Sequence, residues 1–320
     1  MPDLILYSAI FVISLAVLIK SSDYFTDAAE KFGLLIGLSP FIIGVTIVSI
    51  GTSLPELISS LFAVWANSSE IVIGNVVGSN IANIFLVIGA ASVISYKQSI
   101  NITYNLIRVD LPLFVGSALL LALEVWDRKF TKGEAWLLLL AYLMYTFYTL
   151  NGTEEQEATE NDSEEPIKRN SKTVIIQLLI IIISAIFLYL GAKYTIDYLV
   201  KISEVLDIGK EIIAVTAVAL GTSLPELIVT VNASLKGKAE LAVGNVLGSN
   251  VFNTFVVMGV PGLIGTLTIP KTVIMGGLPT MIAGTILLFF VAQDQQLTVW
   301  EGWLFFIFYG WFIGQTFGLL

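Results

Sequence analysis

The sequence predicts an all-α integral membrane protein of ten transmembrane helices, arranged as two five-helix repeats of inverted topology with broken helices at the membrane midplane. Three observations carry that expectation. The chain is 56% hydrophobic and 13% charged, with a mean hydropathy of +0.87, which is the composition of a membrane protein. Apolar blocks long enough to cross a hydrocarbon core, about 20 residues each, recur along the whole chain. The two halves also match each other at a constant offset of 170 positions.

The blocks fall at 4–32, 40–66, 70–95, 106–124, 134–150, 173–203, 210–235, 239–265, 272–292 and 299–319. Their continuity argues against a β-barrel, whose strands would alternate over about ten residues. No basic region precedes the first block and no cleavage-like site follows it, so that block is expected to be a retained span. Between the fifth and sixth blocks lies NGTEEQEATENDSEEPIKRNSK, residues 151–172, with seven acidic and three basic side chains. This composition reads as a flexible acidic linker, too short to be a regulatory domain. The expected organisation is one membrane domain: a first repeat at 1–150, the linker at 151–172 and a second repeat at 173–320.

Residues 49–83 align with 219–253 without a gap, and 17 of the 35 positions are identical. The identities concentrate in GTSLPELI and in GNVVGSN against GNVLGSN. Tyr24, Asp27 and Lys31 likewise match Tyr194, Asp197 and Lys201. Five spans separate equivalent points, an odd number, so the second copy must run through the membrane in the opposite sense. Both GTSLPE segments then lie at similar depth on antiparallel helices.

Within that motif, Pro55 lacks an N–H and its ring crowds the carbonyl of Gly51, so a kink or unwound turn is expected there, eased by the glycine. Carbonyls near Ser49 would be freed, and those near Ala219 by Pro225 and Gly221. Thr52 and Ser53 sit four and three residues before Glu56, gathering hydroxyls and a carboxylate on one helix face. No basic residue occurs between Lys31 and Lys97. An ionised carboxylate in mid-span costs a few kcal/mol without compensation, and a cation from solution is the natural partner of Glu56 and of Glu226. The alternative is a protonated acid used for helix packing.

The second motif supplies a polar stripe at Asn75, Ser79 and Asn83, beside a Gly74–Gly78 pair suited to close helix approach. Asn245, Ser249, Asn253, Gly244 and Gly248 repeat it. The candidate ligands are therefore Thr52, Ser53, Glu56, Ser79, Asn83, Thr222, Ser223, Glu226, Ser249 and Asn253, with carbonyls near Ser49 and Ala219. Asn75 and Asn245 are expected to serve the backbone instead. The chain has no cysteine and no histidine, so all donors are oxygens, the preference of hard cations; calcium takes about six to eight. The set suits one calcium or several ions of smaller charge in overlapping subsets. An empty closed site would bury two uncompensated charges, which favours obligatory exchange.

These motifs resemble the cation/calcium antiporter superfamily, and within it a prokaryotic sodium/calcium exchanger, over essentially the full chain and most specifically at 44–83 and 214–253. The resemblance implies ten helices, alternating access by sliding of the first and sixth, no enzymatic activity, and no cofactor beyond the transported calcium and sodium. It implies that Glu56 and Glu226 are shared by both ions and that Thr52 and Thr222 help hold calcium. Ser53, Ser79, Ser223, Ser249 and the carbonyls of Ser49 and Ala219 would complete flanking sodium sites, and Asn83 and Asn253 would line the middle. Some relatives carry aspartate at a middle position; the amides here argue against potassium coupling. Calcium/proton exchange is the alternative, and a calcium-permeable channel a more distant one.

The remaining charges read as structural. Asp27 with Lys31 and Asp197 with Lys201 are expected to form i,i+4 pairs, Lys20, Asp23 and Lys193 to snorkel or to border a vestibule, and tryptophans 65, 126, 136, 300 and 303 to flank spans as interface anchors. With the N-terminus outside a cell membrane and the linker cytoplasmic, eight basic residues face the cytoplasm against six outside, the favoured direction. Lipid is the expected surroundings; no nucleic acid partner and no oligomer are required.

Overall fold

The computed structural model describes residues 2–95, 100–101, 110–151, 171–206, 223–316 and 318. Ala219 and Thr222, most of the acidic linker and the first part of the seventh apolar block lie outside the described residues. Almost everything described is helical. In chain order the elements are α1 (Pro2–Leu35), α2 (Pro40–Ile43) and α3 (Ser49–Trp65), α4 (Glu70–Ala82) and α5 (Gly89–Ile94), β1 (Ile100–Asn101), α6 (Leu111–Glu124), β2 (Lys129–Phe130) and α7 (Lys132–Asn151). The second half has α8 (Ser171–Val205), α9 (Leu224–Leu235), α10 (Ala239–Phe252) and α11 (Met258–Ile264), β3 (Leu267–Thr268), α12 (Leu278–Ala292), β4 (Gln296–Leu297) and α13 (Val299–Thr316). Among the described residues six helical stretches are long and apolar enough to cross a membrane, and α6 and α9 are shorter apolar helices. The chain is a multi-pass membrane protein.

The two longest helices, α1 and α8, run 34 and 35 residues, several more than their apolar blocks, or about 51 Å at 1.5 Å per residue. They pack against each other along their length. A side-chain carbon at Gly191 would lie 2.9 Å from the backbone of Leu18, so the crossing needs glycine. Thr195 donates to Ser14 Oγ at 3.0 Å across the pair, and the Tyr7 and Tyr198 rings meet edge to face. Ile5, Ile13, Ile175 and Ile183 leave apolar faces exposed, a surface that suits lipid rather than water.

The motif-bearing helices lie inside. The spanning window within 239–264 is 100% buried, against 17% on α1 and 22% on α8. Gly244 and Gly248 explain how α10 reaches this position. A side-chain carbon would lie 2.6 Å from Phe41 O at Gly244 and 2.6 Å from Ser49 Oγ at Gly248, so small residues seat α10 of the second half against α2 and α3 of the first.

The unwound turn expected at the first GTSLPE is not present. α3 runs from Ser49 to Trp65 with Pro55 inside it. The irregularity stands one turn earlier, where Gly44–Val48 form a π-helical turn, a device common at functional sites. Hydroxyls of the same stretch engage its carbonyls: Thr52 Oγ1 donates to Ser49 O at 3.3 Å, and Ser49 Oγ to Thr46 O at 3.2 Å and to Val45 O. The Ser49 carbonyl is thus bonded within the helix rather than released. Gly51 serves packing, because a side chain there would collide with the Phe25 ring of α1. In the second half the described helix begins at Leu224 with Pro225 in its first turn, a position where proline's missing N–H is harmless. Asn83 and Asn253 each open a further π-helical turn, Asn83–Ile88 and Asn253–Val257.

Short antiparallel strand pairs tie the loops. β1 pairs with β4 and β2 with β3, and Thr268 N donates to Ser69 Oγ at 3.1 Å. Each pair joins a loop of one half to a loop of the other.

Apart from Lys20 and Asp23, 3.9 Å apart along α1, the described ion pairs join different elements. The α9–α10 turn places Gly237 at φ +75°, which glycine adopts without strain, and aims the flanking lysines at α1. Lys236 Nζ lies 3.0 Å from Asp23 and 3.1 Å from Asp27, and Lys238 Nζ 2.8 Å from Asp27 and 2.6 Å from Glu30. Asp27 therefore pairs with the turn rather than with Lys31. Lys201 lies over the Tyr198 ring at 4.4 Å, a cation–π contact, in place of the expected pair with Asp197. Tryptophans 65, 126, 136, 300 and 303 are exposed.

Candidate ion-binding site

The polar residues read from the two motifs converge where α3, α9 and α10 meet. Ser49, Thr52, Ser53 and Glu56 follow one another on the inner face of α3 and all are buried. Opposite them, α9 contributes Glu226 from its first turn, and α10 contributes Asn245 and Ser249 one turn apart. Ser53 Oγ donates to Glu226 Oε1 at 3.0 Å. Thr52 Oγ1 lies 3.3 Å from Ser249 Oγ and 3.3 Å from Asn245 Oδ1. Each contact joins the two halves of the chain, so hydroxyls of the first GTSLPE stand against the carboxylate and amide of the second half.

The carboxylates are the extreme case. Glu56 is 1% exposed and Glu226 0%, and both Glu56 oxygens and Glu226 Oε2 find no hydrogen-bond partner among the described residues. The ion pairs described all sit at the end of α1, and none includes either glutamate. Leaving an ionised carboxylate unpartnered and buried is strongly unfavourable. The arrangement is therefore suited to a cation that enters with its own charge. Among the described residues no group of three or more acidic, histidine or cysteine side chains is placed to hold a metal ion, and the described carboxylates of the site are Glu56 and Glu226.

The amides sit one turn deeper along α4 and α10. Asn83 and Asn253 are buried. Asn83 Nδ2 donates to Asn250 Oδ1 at 2.9 Å; among the described residues Asn83 Oδ1 has no partner, and neither polar atom of Asn253 has one. Ser79 and Ser223 are buried as well. Ala219 and Thr222 lie outside the described residues.

Asn75 and Asn245 act as supports, in matching ways. Asn75 Nδ2 donates to Ser60 Oγ at 3.1 Å and to Glu56 O at 3.3 Å; Asn245 Nδ2 donates to Thr230 Oγ1 at 2.9 Å. Asn245 also meets Thr52, which brings it closer to the site than its expected backbone role. Sequence reasoning passed over Asn80 and Asn250. Each donates to the other's backbone carbonyl at 3.3 Å. The signal was available, since the asparagine closing GSN recurs at the 170 offset.

The family model described as sodium/calcium exchanger protein matches residues 6–151 and 176–317. The chain is 33% identical to the sodium/calcium exchanger MaX1 of Methanosarcina acetivorans, over 94% of this chain and 95% of that protein. It is 31% identical to the inner membrane protein YrbG of Escherichia coli, over 82% of this chain and 81% of that protein. Among solved structures, the sodium-calcium exchanger NCX_Mj soaked with 10 mM Na+ and zero Ca2+ superposes with a TM-score of 0.80 at 30% identity, over 96% of this chain and 97% of that one.

Proposed function

We infer that this chain, which belongs to the sodium/calcium exchanger protein family, is an antiporter that moves calcium against sodium through the site formed by α3, α9 and α10. The observation that carries the reading is the pair of buried carboxylates, Glu56 and Glu226, one from each repeat, with three of their four oxygens unpartnered among the described residues. One calcium, or sodium ions in its place, neutralises them. The ions are cargo rather than a resident cofactor, and the protein is a transporter rather than an enzyme.

Glu56, Glu226, Thr52 and Thr222 form the calcium centre in this reading. Ser53, Ser79, Ser223, Ser249 and the regions of Ser49 and Ala219 provide the flanking sodium positions, with Asn83 and Asn253 in the middle. The chain crosses the membrane ten times in two inverted halves, 1–150 and 173–320, joined by the acidic linker. Two features support this topology: the reciprocal Asn80–Asn250 bonds, at the 170 offset, and the two strand pairs, each linking the halves. The N-terminus lies outside the cell membrane and the linker in the cytoplasm, in keeping with the modest bias of basic residues.

Exchange follows from electrostatics. Closing an empty site would bury two bare carboxylates, so the carrier changes sides only when loaded. Three sodium ions leave one positive charge in excess of the two carboxylates, whereas one calcium leaves none. Three sodium ions leaving a vesicle for one calcium entering carry one charge outward. Calcium uptake into sodium-loaded proteoliposomes should therefore accelerate at inside-positive potential. Uptake indifferent to voltage at a fixed sodium gradient would replace this with electroneutral exchange, and uptake driven equally by a pH gradient without sodium would establish proton coupling instead.

A further inference from the structure

The two central amides occupy equivalent positions, yet their surroundings differ. Asn83 is held: its N–H donates to Asn250 Oδ1 at 2.9 Å, so the amide oxygen is its free atom. The equivalent bond would run from Asn253 Nδ2 to Asn80 Oδ1. Both of those atoms are buried and have no partner among the described residues. The cause lies one residue beyond Asn253. Thr254 takes the Asn80 N–H on its hydroxyl at 3.0 Å, whereas the position equivalent to Thr254 in the first half is Ile84, which offers no acceptor. Asn80 and Asn250 each hold their nitrogen on the other's backbone carbonyl at 3.3 Å, but Thr254 gives the Asn80 nitrogen a second, shorter acceptor that draws its amide aside, whereas Asn250, facing no such hydroxyl, presents its oxygen to Asn83.

We propose that Asn250 is a positioning residue for the ion site, fixing Asn83 as an oxygen donor, and that Thr254 diverts Asn80 so that Asn253 has no such support. Resting on the antiporter reading, this makes the two middle positions unequal. Asn83 is pre-organised to accept a cation, since its N–H is already engaged and its oxygen has no competing donor. Asn253 must be oriented at the moment an ion binds, and that ordering subtracts from affinity. The difference comes from neutral neighbours, chiefly the unmatched pair Ile84 and Thr254, with Met281 Sδ a further weak acceptor 3.7 Å from the Asn80 nitrogen.

The two residues predict effects of opposite sign, which a general loss of packing would not produce. Calcium binding to the purified full-length chain is measured by calorimetry, and sodium-driven calcium uptake is measured in proteoliposomes. Asn250→Ala releases Asn83 and should raise both the calcium Kd and KM about fivefold, the weight of one net hydrogen bond, with kcat changed less than about twofold. Thr254→Val keeps the shape but removes the hydroxyl. Asn80 is then held only as Asn250 is, by the backbone carbonyl across from it, and can present its oxygen to Asn253 Nδ2, so calcium should bind about two- to threefold more tightly by the same measure. An unchanged Kd in Asn250→Ala, or weaker or unchanged binding in Thr254→Val, overturns the proposal. If Asn250→Ala fails to fold, Thr254→Val decides alone. A wild-type chain that binds calcium but does not exchange it for sodium defeats the antiporter reading, while the calorimetric comparison still tests the positioning roles.

Discussion

Replacing Glu56 by glutamine removes one of the two charges in the site and changes little else. The side chain is 1% exposed, and neither of its oxygens has a partner among the described residues. Its interaction with a cation is therefore not shared with a neighbouring donor. At a calcium–oxygen distance of about 2.4 Å and an effective dielectric of about 20, a divalent ion and one carboxylate attract by about 14 kcal/mol. Dehydrating both partners offsets most of that. If only a third survives, about 4–5 kcal/mol, calcium affinity falls by more than about a thousandfold. Folding should not suffer, because an amide is easier to bury than a bare carboxylate. The assay pairs calcium exchange in proteoliposomes with thermal unfolding, with and without calcium. Wild-type protein at 100 times its Kd gains about 2.7 kcal/mol from the ligand; Glu56→Gln should unfold no earlier than wild type without calcium and gain nothing from it. A Glu56→Gln chain that exchanges calcium at wild-type rates would remove this residue from the site.

Other expectations follow from the packing and the ion pairs. Gly248→Ala forces a carbon to within 2.6 Å of Ser49 Oγ, and the overpacking should destabilise the fold by about 1–3 kcal/mol; an unchanged unfolding midpoint would mean that α10 does not sit this close to α3. Single cysteines at Ser69 and at Lys238 should react with impermeant thiol reagents from opposite sides of the membrane, and labelling from one side would exclude the inverted repeat. Burial acts to lower the Lys238 pKa, but its bonds to Asp27 and Glu30 outweigh that and hold it above the ordinary lysine value. The stabilisation it contributes is therefore complete below pH 10.5 and lost as pH rises through the folded value. Lys238→Met should lower the unfolding midpoint at pH 8 and flatten its decline at high pH, and a parallel decline in both proteins would place the sensitivity elsewhere.

Composition and block length alone identified a membrane protein and the positions of the six described helical stretches long and apolar enough to span, because burial in lipid is a demand on each helix separately. The offset of 170 is an internal repeat legible in the letters alone, and the absence of a basic residue near Glu56 made it the candidate for an ion site, since an intramembrane charge must be compensated wherever the chain folds. Local chemistry was less informative about conformation. Pro55 pointed to an unwound turn, but α3 runs through the proline and the irregular turn stands at Gly44–Val48 instead. Gly51 read as a hinge, but it makes room for Phe25, a residue in another helix. Only the tertiary structure decided that Asp27 meets Lys236 and Lys238 rather than Lys31, that Ser53 reaches Glu226, and that Asn250 holds Asn83 while Thr254 draws Asn80 away. Those contacts join residues some 170 to 210 positions apart, and helical periodicity carries no information about which faces of distant helices are brought together.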